Sequence, residues 1–137
     1  MDSVLKECLD TICKERDTGW DASHDCVERL IAEIGESEFA DKLFNSVSRS
    51  VPYEVVRDIL NIAIWSTSDN GVGITESTNR WLQEMADTRK MLVALNLEVL
   101  PFSNEAQSRE YLDNIPDELW IVRTDALRVV DSWSKVK

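Results

Sequence analysis

The chain of 137 residues lacks a long hydrophobic run, since its longest stretch without Asp, Glu, Lys or Arg covers only the ten residues 59–68. A membrane-spanning helix needs about 20 consecutive apolar residues, so the sequence predicts no transmembrane segment. The first residues also lack a basic start followed by an apolar stretch, which is the pattern of a secretory signal. We therefore expect a cytoplasmic protein.

Side chains that bind metals or act as nucleophiles are scarce, with three cysteines and one histidine in the whole chain. Together they are the ligand types of a Cys3His zinc site. Cys8 and Cys13, however, are five residues apart on a predicted helix and not in a tight knuckle. Each cysteine, Cys26 included, falls on the apolar stripe of its helix, so we expect buried, reduced thiols and no metal. His24 lies off the stripe, which predicts an exposed imidazole and no catalytic triad.

Glycine is also scarce, and two of the four glycines, Gly71 and Gly73, lie in the loop-like run 66–73. That run lacks the third glycine, the lysine and the preceding strand of a nucleotide-binding loop, so it predicts a turn. Among the 26 acidic side chains no pair is singled out for acid–base catalysis. The sequence therefore predicts no cofactor, no catalytic residues and no enzymatic activity.

Basic residues are too few to balance the acidic ones, and the formal net charge is −11 at pH 7. A general nucleic-acid binder or a protein that binds anionic lipid needs an excess of Lys and Arg, so both classes are excluded. Hydrophobic residues make up 43% and charged residues 30%, which is typical of a folded globular domain. The length predicts a single domain over 1–137.

Apolar residues recur with the period of an amphipathic α-helix along most of the chain. The predicted helices cover 2–16, 22–34, a segment from 37, 52–66, 75–86, a segment ending before 101, 104–114 and a segment from 116 onward. We expect Asp21 or Ser23 to cap the second helix and Thr75 to cap the fifth. The pattern predicts an all-α bundle of seven to eight helices. A strand-like alternation near 93–100 keeps an α+β fold as the minority alternative.

Five tryptophans are many for this length. Trp65, Trp81 and Trp133 lie on apolar stripes, so we expect them in the core. Trp20 stands in a connection between acidic residues, and Trp120 lies off the stripe of the last helix. Because tryptophan is enriched at binding hot spots, Trp20 and Trp120 are candidate interface anchors. An alternative is that both cover the edge of the core.

The excess acid is concentrated in residues 1–48, which hold 12 acidic and 5 basic side chains, a net −7. On the second predicted helix, Asp21, Asp25 and Glu28 follow the spacing i, i+4 and i+7 and form one acidic row, with Arg29 beside it. Such like charges repel one another by a few tenths of a kcal/mol per pair. The row is either a solvated face or the docking face for a basic partner. The candidate partner-binding residues are Asp17, Trp20, Asp21, Asp25, Glu28 and Asp69.

In size, predicted helicity, acidity and lack of a catalytic constellation, the chain resembles the small acidic immunity proteins of bacterial toxin systems, including contact-dependent growth inhibition. This resemblance implies a cytoplasmic antitoxin that binds and blocks a cognate toxin, often a nuclease. The alternatives are a nucleic-acid mimic, a helical adaptor in a larger assembly, and an enzyme that uses carboxylates. We expect a basic protein partner, with no direct contact to nucleic acid or membrane.

Overall fold

The computed structural model describes residues 2–15, 19, 21–102 and 104–135. Its helices are α1 (Asp2–Glu15), α2 (Asp21–Ile34), α3 (Phe39–Ser46), α4 (Tyr53–Ile64), α5 (Val72–Glu84), α6 (Thr88–Leu95), α7 (Glu105–Leu112) and α8 (Trp120–Lys135), with a 3₁₀ turn at Asp117–Leu119. Eight α-helices and no strand are present in these residues, which confirms the all-α prediction.

The strand-like run near 93–100 does not form a strand. Its first residues belong to α6, which Asp87 caps by accepting hydrogen bonds from the N–H groups of Arg89 and Lys90. After Leu95 the chain continues in turns. The alternating residues there have no neighbouring strand to pair with among the described residues, so local alternation alone does not produce β structure.

The chain divides into two compact units, 1–77 and 78–137, and the division falls inside α5. The single domain expected over 1–137 stays a prediction.

In the first unit, α1 and α2 pack against each other and both pack against α4, while α3 packs against α2 and α4. The helices form because their apolar residues recur on one side, which they bury between the helices. The side chains buried there include Leu5, Cys8 and Ile12 from α1, Val27 and Leu30 from α2, and Val56, Ile59, Leu60 and Ala63 from α4. Of these helices, α2 and α4 each pack against all of the other three.

In the second unit, α8 packs against α6 and α7. Its core contains Leu82, Met91, Ala94, Leu95, Phe102, Leu112, Ile115, Val122, Ala126, Val129 and Val130, with Trp133 partly buried against them. The rings of Phe102 and Tyr111 stack with their centroids 5.1 Å apart. The buried indole of Trp81 lies under the ammonium group of Lys90, 5.5 Å from the ring centroid.

Two predicted core residues are exposed instead. The Trp65 side chain is 71% exposed, because it follows the last residue of α4 in the same row as Arg57 and Asn61, the least buried row of that helix. Cys13 is exposed because it lies about 140° around α1 from Cys8, and only Cys8 is on the buried side. In both cases the predicted helix is present, but the side of the helix that is buried is narrower than the apolar stripe of the sequence.

Candidate partner-binding surface

A carboxylate at the end of α1 caps the beginning of α2. Glu15 accepts hydrogen bonds from the N–H of Ala22 at 3.2 Å, the N–H of Ser23 at 2.6 Å and the Ser23 hydroxyl at 2.7 Å. These bonds, that of the hydroxyl above all, hold the pKa of Glu15 below its ordinary value because they stabilise the charged form. The cap expected from Asp21 or Ser23 therefore comes from the preceding helix, and it ties the start of α2 to the end of α1.

The predicted acidic row lies on the outer face of α2. Asp21, Asp25 and Glu28 are exposed, whereas Val27 and Leu30 on the opposite side are buried. The carboxylates of the row form no hydrogen bond or ion pair with another residue in the part of the chain that the structure describes. Their mutual repulsion is therefore not offset by any ion pair with a described residue, and each carboxylate is available to a cation from outside.

The row borders a shallow, open depression lined by Asp25, Glu28, Arg29 and Ala32. The cation in this lining is already engaged, since Arg29 Nη2 lies 2.6 Å from Glu7 Oε1 on α1. This hydrogen bond and the charge of Arg29 hold the pKa of Glu7 below its ordinary value. Because Glu7 neutralises Arg29, the negative charge of Asp25 and Glu28 is left uncompensated at the depression.

The connection between α4 and α5 is attached just beyond the C-terminal end of α2. Glu36 accepts hydrogen bonds from the N–H of Ser68 at 2.6 Å and from its hydroxyl at 3.0 Å. Trp65 stands at one end of this connection, and Asp69 lies within it. The fold thus brings the loop with Asp69 next to the helix that carries the acidic row.

Asp69 has a local role in starting α5. Its carboxylate accepts hydrogen bonds from the N–H of Gly71 at 3.0 Å, the N–H of Gly73 at 2.9 Å and the hydroxyl of Thr67 at 2.8 Å. These bonds, the one from Gly73 above all, hold the pKa of Asp69 below its ordinary value. The cap predicted at Thr75 is wrong, because the Asp69 carboxylate captures the free N–H groups and α5 begins three residues earlier, at Val72.

Sequence reasoning missed the exposed apolar residues beside Asp69. The Trp65 ring and the side chain of Val72 are both exposed at the ends of the α4–α5 connection. The signal was present in the spacing, since Trp65 is four residues after Asn61 and eight after Arg57. Both of these are polar, and a position that continues a polar row faces solvent.

Of the six candidate residues, Asp25 and Glu28 line the same depression, and Asp21 continues their row. Asp69 lies in the loop that is bonded to Glu36. Asp17 and Trp20 lie outside the described residues.

A second exposed surface is apolar and lies within the second unit. Trp120 is 68% exposed, and Ile121 and Leu127 are about half exposed. Trp120 and Leu127 are seven residues apart on α8 and so lie on one side of that helix. A small depression beside them is lined by Thr88, Glu118, Leu119, Trp120, Ile121 and Val122. Trp120 was predicted to lie off the apolar stripe of the last helix, and its exposed side chain agrees with that position.

The described residues contain no group of three or more His, Cys, Asp or Glu side chains that could hold a metal ion. No helix among them combines the length and the apolar character that crossing a membrane requires. His24 is exposed on α2, as predicted. The chain matches no protein-family model, no curated protein and no solved structure.

Proposed function

We propose that this chain is a non-enzymatic, acidic binding protein that neutralises a basic protein partner. The observation that supports this proposal is the exposed row of Asp21, Asp25 and Glu28, whose charges have no ion-pair partner among the described residues. A protein that needed only a solvated helix face would be more stable with opposite charges at these spacings. A basic partner removes the repulsion when it binds.

The charge distribution favours fast association. The net charge of −11 attracts a basic partner over a distance set by the ionic strength, and the row on α2 directs it to one face. The exposed depression beside the row gives a cationic side chain of the partner a place between Asp25 and Glu28. Arg29 does not repel that cation strongly, because Glu7 holds and neutralises its guanidinium.

Charge alone gives weak binding, and an apolar anchor slows dissociation. Trp65 is suited to this role, because its ring is largely exposed and its connection is bonded to Glu36, two residues beyond the end of α2. The Trp65 side chain and the acidic row therefore belong to neighbouring parts of the first unit. We propose that the carboxylates of the row speed up association with the partner and that the Trp65 indole slows dissociation.

The partner class we propose is a cognate bacterial toxin such as a nuclease, and the place of action is the cytoplasm. A nuclease holds its substrate phosphates with Lys and Arg side chains. A row of carboxylates on a helix occupies the same basic side chains and so blocks the substrate. This assignment rests on the resemblance in size, helicity and acidity to immunity proteins, together with the exposed acidic row.

The first experiment is a pull-down from the native host with washes at low and high salt, followed by kinetics with the purified partner. The variant Asp21→Asn/Asp25→Asn/Glu28→Gln should associate about tenfold more slowly than the wild type at low salt, and its rate should depend less on salt. The matched control is Glu84→Gln/Glu110→Gln/Asp113→Asn, which removes the same charge from exposed positions outside α2.

Equal effects of the two triple variants would show that only net charge matters and would overturn the assignment of the face. A partner that free DNA displaces would point to a nucleic-acid mimic instead. Circular dichroism of both variants checks that the helices are retained.

A helical adaptor is the second candidate, and the exposed apolar side of α8 favours it. Trp120 and Leu127 are exposed on one side of α8, and the exposed Ile121 adjoins Trp120, so these apolar side chains are near one another rather than scattered singly. Binding through this side would resist high salt, because apolar contacts are not screened. A partner that is retained at high salt and lost with Trp120→Ala would support the adaptor.

A further inference from the structure

Two cysteine thiols meet between α1 and α2. Cys8 on α1 and Cys26 on α2 are both buried, and the two helices pack against each other. The Cys26 sulfur lies 3.6 Å from Thr11 Oγ1 and 3.8 Å from Glu7 Oε1. Thr11 is three residues after Cys8 and is therefore its neighbour on α1. The Cys26 sulfur thus lies beside the buried side of α1 that carries Cys8, and the two thiols interact.

The two thiols also differ in their surroundings. Burial, together with the neighbouring Cys26 thiol, raises the pKa of the Cys8 thiol to about 12, so Cys8 stays protonated at neutral pH. Arg29 Nη2, in contrast, donates a hydrogen bond to the Cys26 sulfur at 3.3 Å. Glu7 also binds this guanidinium, but the N–H that Arg29 donates still points at the Cys26 sulfur and can stabilise the negative charge that develops there as the sulfur reacts. We therefore expect Cys26 to react first and Cys8 to resolve the product.

The pair lies close to solvent although both sulfurs are buried. Arg29 and Glu7, which contact the Cys26 sulfur, have side chains that are 53% and 52% exposed. Because these two exposed side chains contact the Cys26 sulfur, their displacement would open a path for a small oxidant. Cys13, the exposed cysteine, lies about 140° away around α1 and is no partner for Cys26.

We propose that Cys8 and Cys26 are a redox pair that forms a reversible disulfide between α1 and α2 when a peroxide oxidises Cys26. In the first step the Cys26 thiol gives up its proton, the thiolate attacks one peroxide oxygen and the O–O bond breaks. A sulfenic acid forms, and the hydroxide that leaves takes up the proton as water. In the second step the Cys8 sulfur attacks the sulfenic sulfur, and the hydroxyl leaves as water with the Cys8 proton. Two thiols and one hydrogen peroxide thus give one disulfide and two waters.

The disulfide would fasten the helix that carries the acidic row to α1. It closes a loop between Cys8 and Cys26 and so restricts the unfolded chain. The melting temperature of the oxidised protein should rise by about 5–10 °C. This inference does not depend on the proposed function, because it concerns the buried side of α2 and needs no partner.

The test treats the full chain with hydrogen peroxide, unfolds it in the presence of a thiol-alkylating reagent and maps the peptides without reduction. We expect a mass loss of two hydrogens, a linked pair of peptides with Cys8 and Cys26, and an alkylated Cys13. Dithiothreitol should restore three alkylatable thiols. Cys13→Ser should form the same link, and Arg29→Gln should form it about tenfold more slowly.

Three results would overturn the proposal: three free thiols after peroxide treatment, a link that includes Cys13, or Cys26 oxidised to sulfinic acid without a link. Cys8→Ser should abolish the link. If that variant fails to fold, the peptide map of the wild type decides by itself, because it identifies the linked residues directly.

Discussion

Single carboxylates decide where two of the helices begin. Glu15 and Asp69 both accept backbone N–H groups that the first turn of a helix leaves without partners. Both residues also contribute to the negative charge, so counting charges alone assigns them to the surface. Their hydrogen bonds show that an acidic residue in this chain can stabilise the fold even where it is exposed, as Asp69 is, whereas Asp25 faces solvent without such a bond.

At Asp69 we predict a stability change that depends on pH. Asp69→Ala should lower the melting temperature at neutral pH by about 3 °C, because the N–H groups of Gly71 and Gly73 lose their acceptor. Asp69→Asn should keep most of the stability, since asparagine also caps helices. The measurement is thermal unfolding followed by circular dichroism between neutral pH and pH about 3.

The sign of the pH dependence follows from the lowered pKa of Asp69. The contribution of the carboxylate is complete above its ordinary value of 3.8 and disappears as the pH falls through the lower value of the folded state. The difference in melting temperature between the wild type and Asp69→Ala should therefore become smaller at acidic pH. A difference in melting temperature that stays constant down to the lowest pH would contradict the capping role of Asp69.

Among the elements, α4 and α5 are joined by a connection whose backbone approaches the end of α4 closely at Gly71. Gly71 has a φ of +81°, and a Cβ placed on it would lie 2.7 Å from Ile64 Cγ2 and 2.9 Å from the Ile64 carbonyl oxygen. The connection folds back so closely on the end of α4 that only glycine fits. This contact, together with the Asp69 cap, positions Trp65 and the start of α5.

Gly71→Ala should therefore destabilise the chain by about 2 kcal/mol or more, because both the backbone angle and the contact with Ile64 oppose a side chain. Urea unfolding measures the free energy. Val72→Ala is the control, since its side chain is exposed and should change stability by less than about 0.5 kcal/mol. A Gly71→Ala protein as stable as this control would show that the connection between α4 and α5 can shift to accommodate the added methyl group.

For the whole molecule, the net charge of −11 has a cost in stability. Like charges repel one another more in the compact state than in the unfolded chain, and salt screens them. Raising NaCl from about 10 mM to about 150 mM shortens the Debye length from about 30 Å to about 8 Å. The melting temperature should rise by about 2–4 °C over this range.

The variant with Asp21→Asn, Asp25→Asn and Glu28→Gln should melt at a higher temperature than the wild type at low salt and gain less from added salt. Differential scanning calorimetry at several salt concentrations measures both effects. A wild-type melting temperature that is independent of salt would mean that the excess negative charge does not destabilise the fold.

The sequence by itself determined the helical class, most of the helix positions and the acidic row on α2. These depend on local spacing, because a period of 3.6 residues sorts apolar and charged side chains onto opposite sides of a helix. Asp25 and Glu28 were placed correctly on the outer side for this reason. Caps were less predictable, since the acceptor for α2 comes from Glu15 on another helix.

Tertiary structure alone decided which side chains meet between helices. The pairing of Glu7 with Arg29, the approach of Cys26 to Cys8 and the attachment of Ser68 to Glu36 join residues that are far apart along the chain. The exposure of Cys13 was decided in the same way, because only the side of α1 that carries Cys8 is covered by other helices. Periodicity shows which side of a helix is apolar, but only packing shows how much of that side is covered.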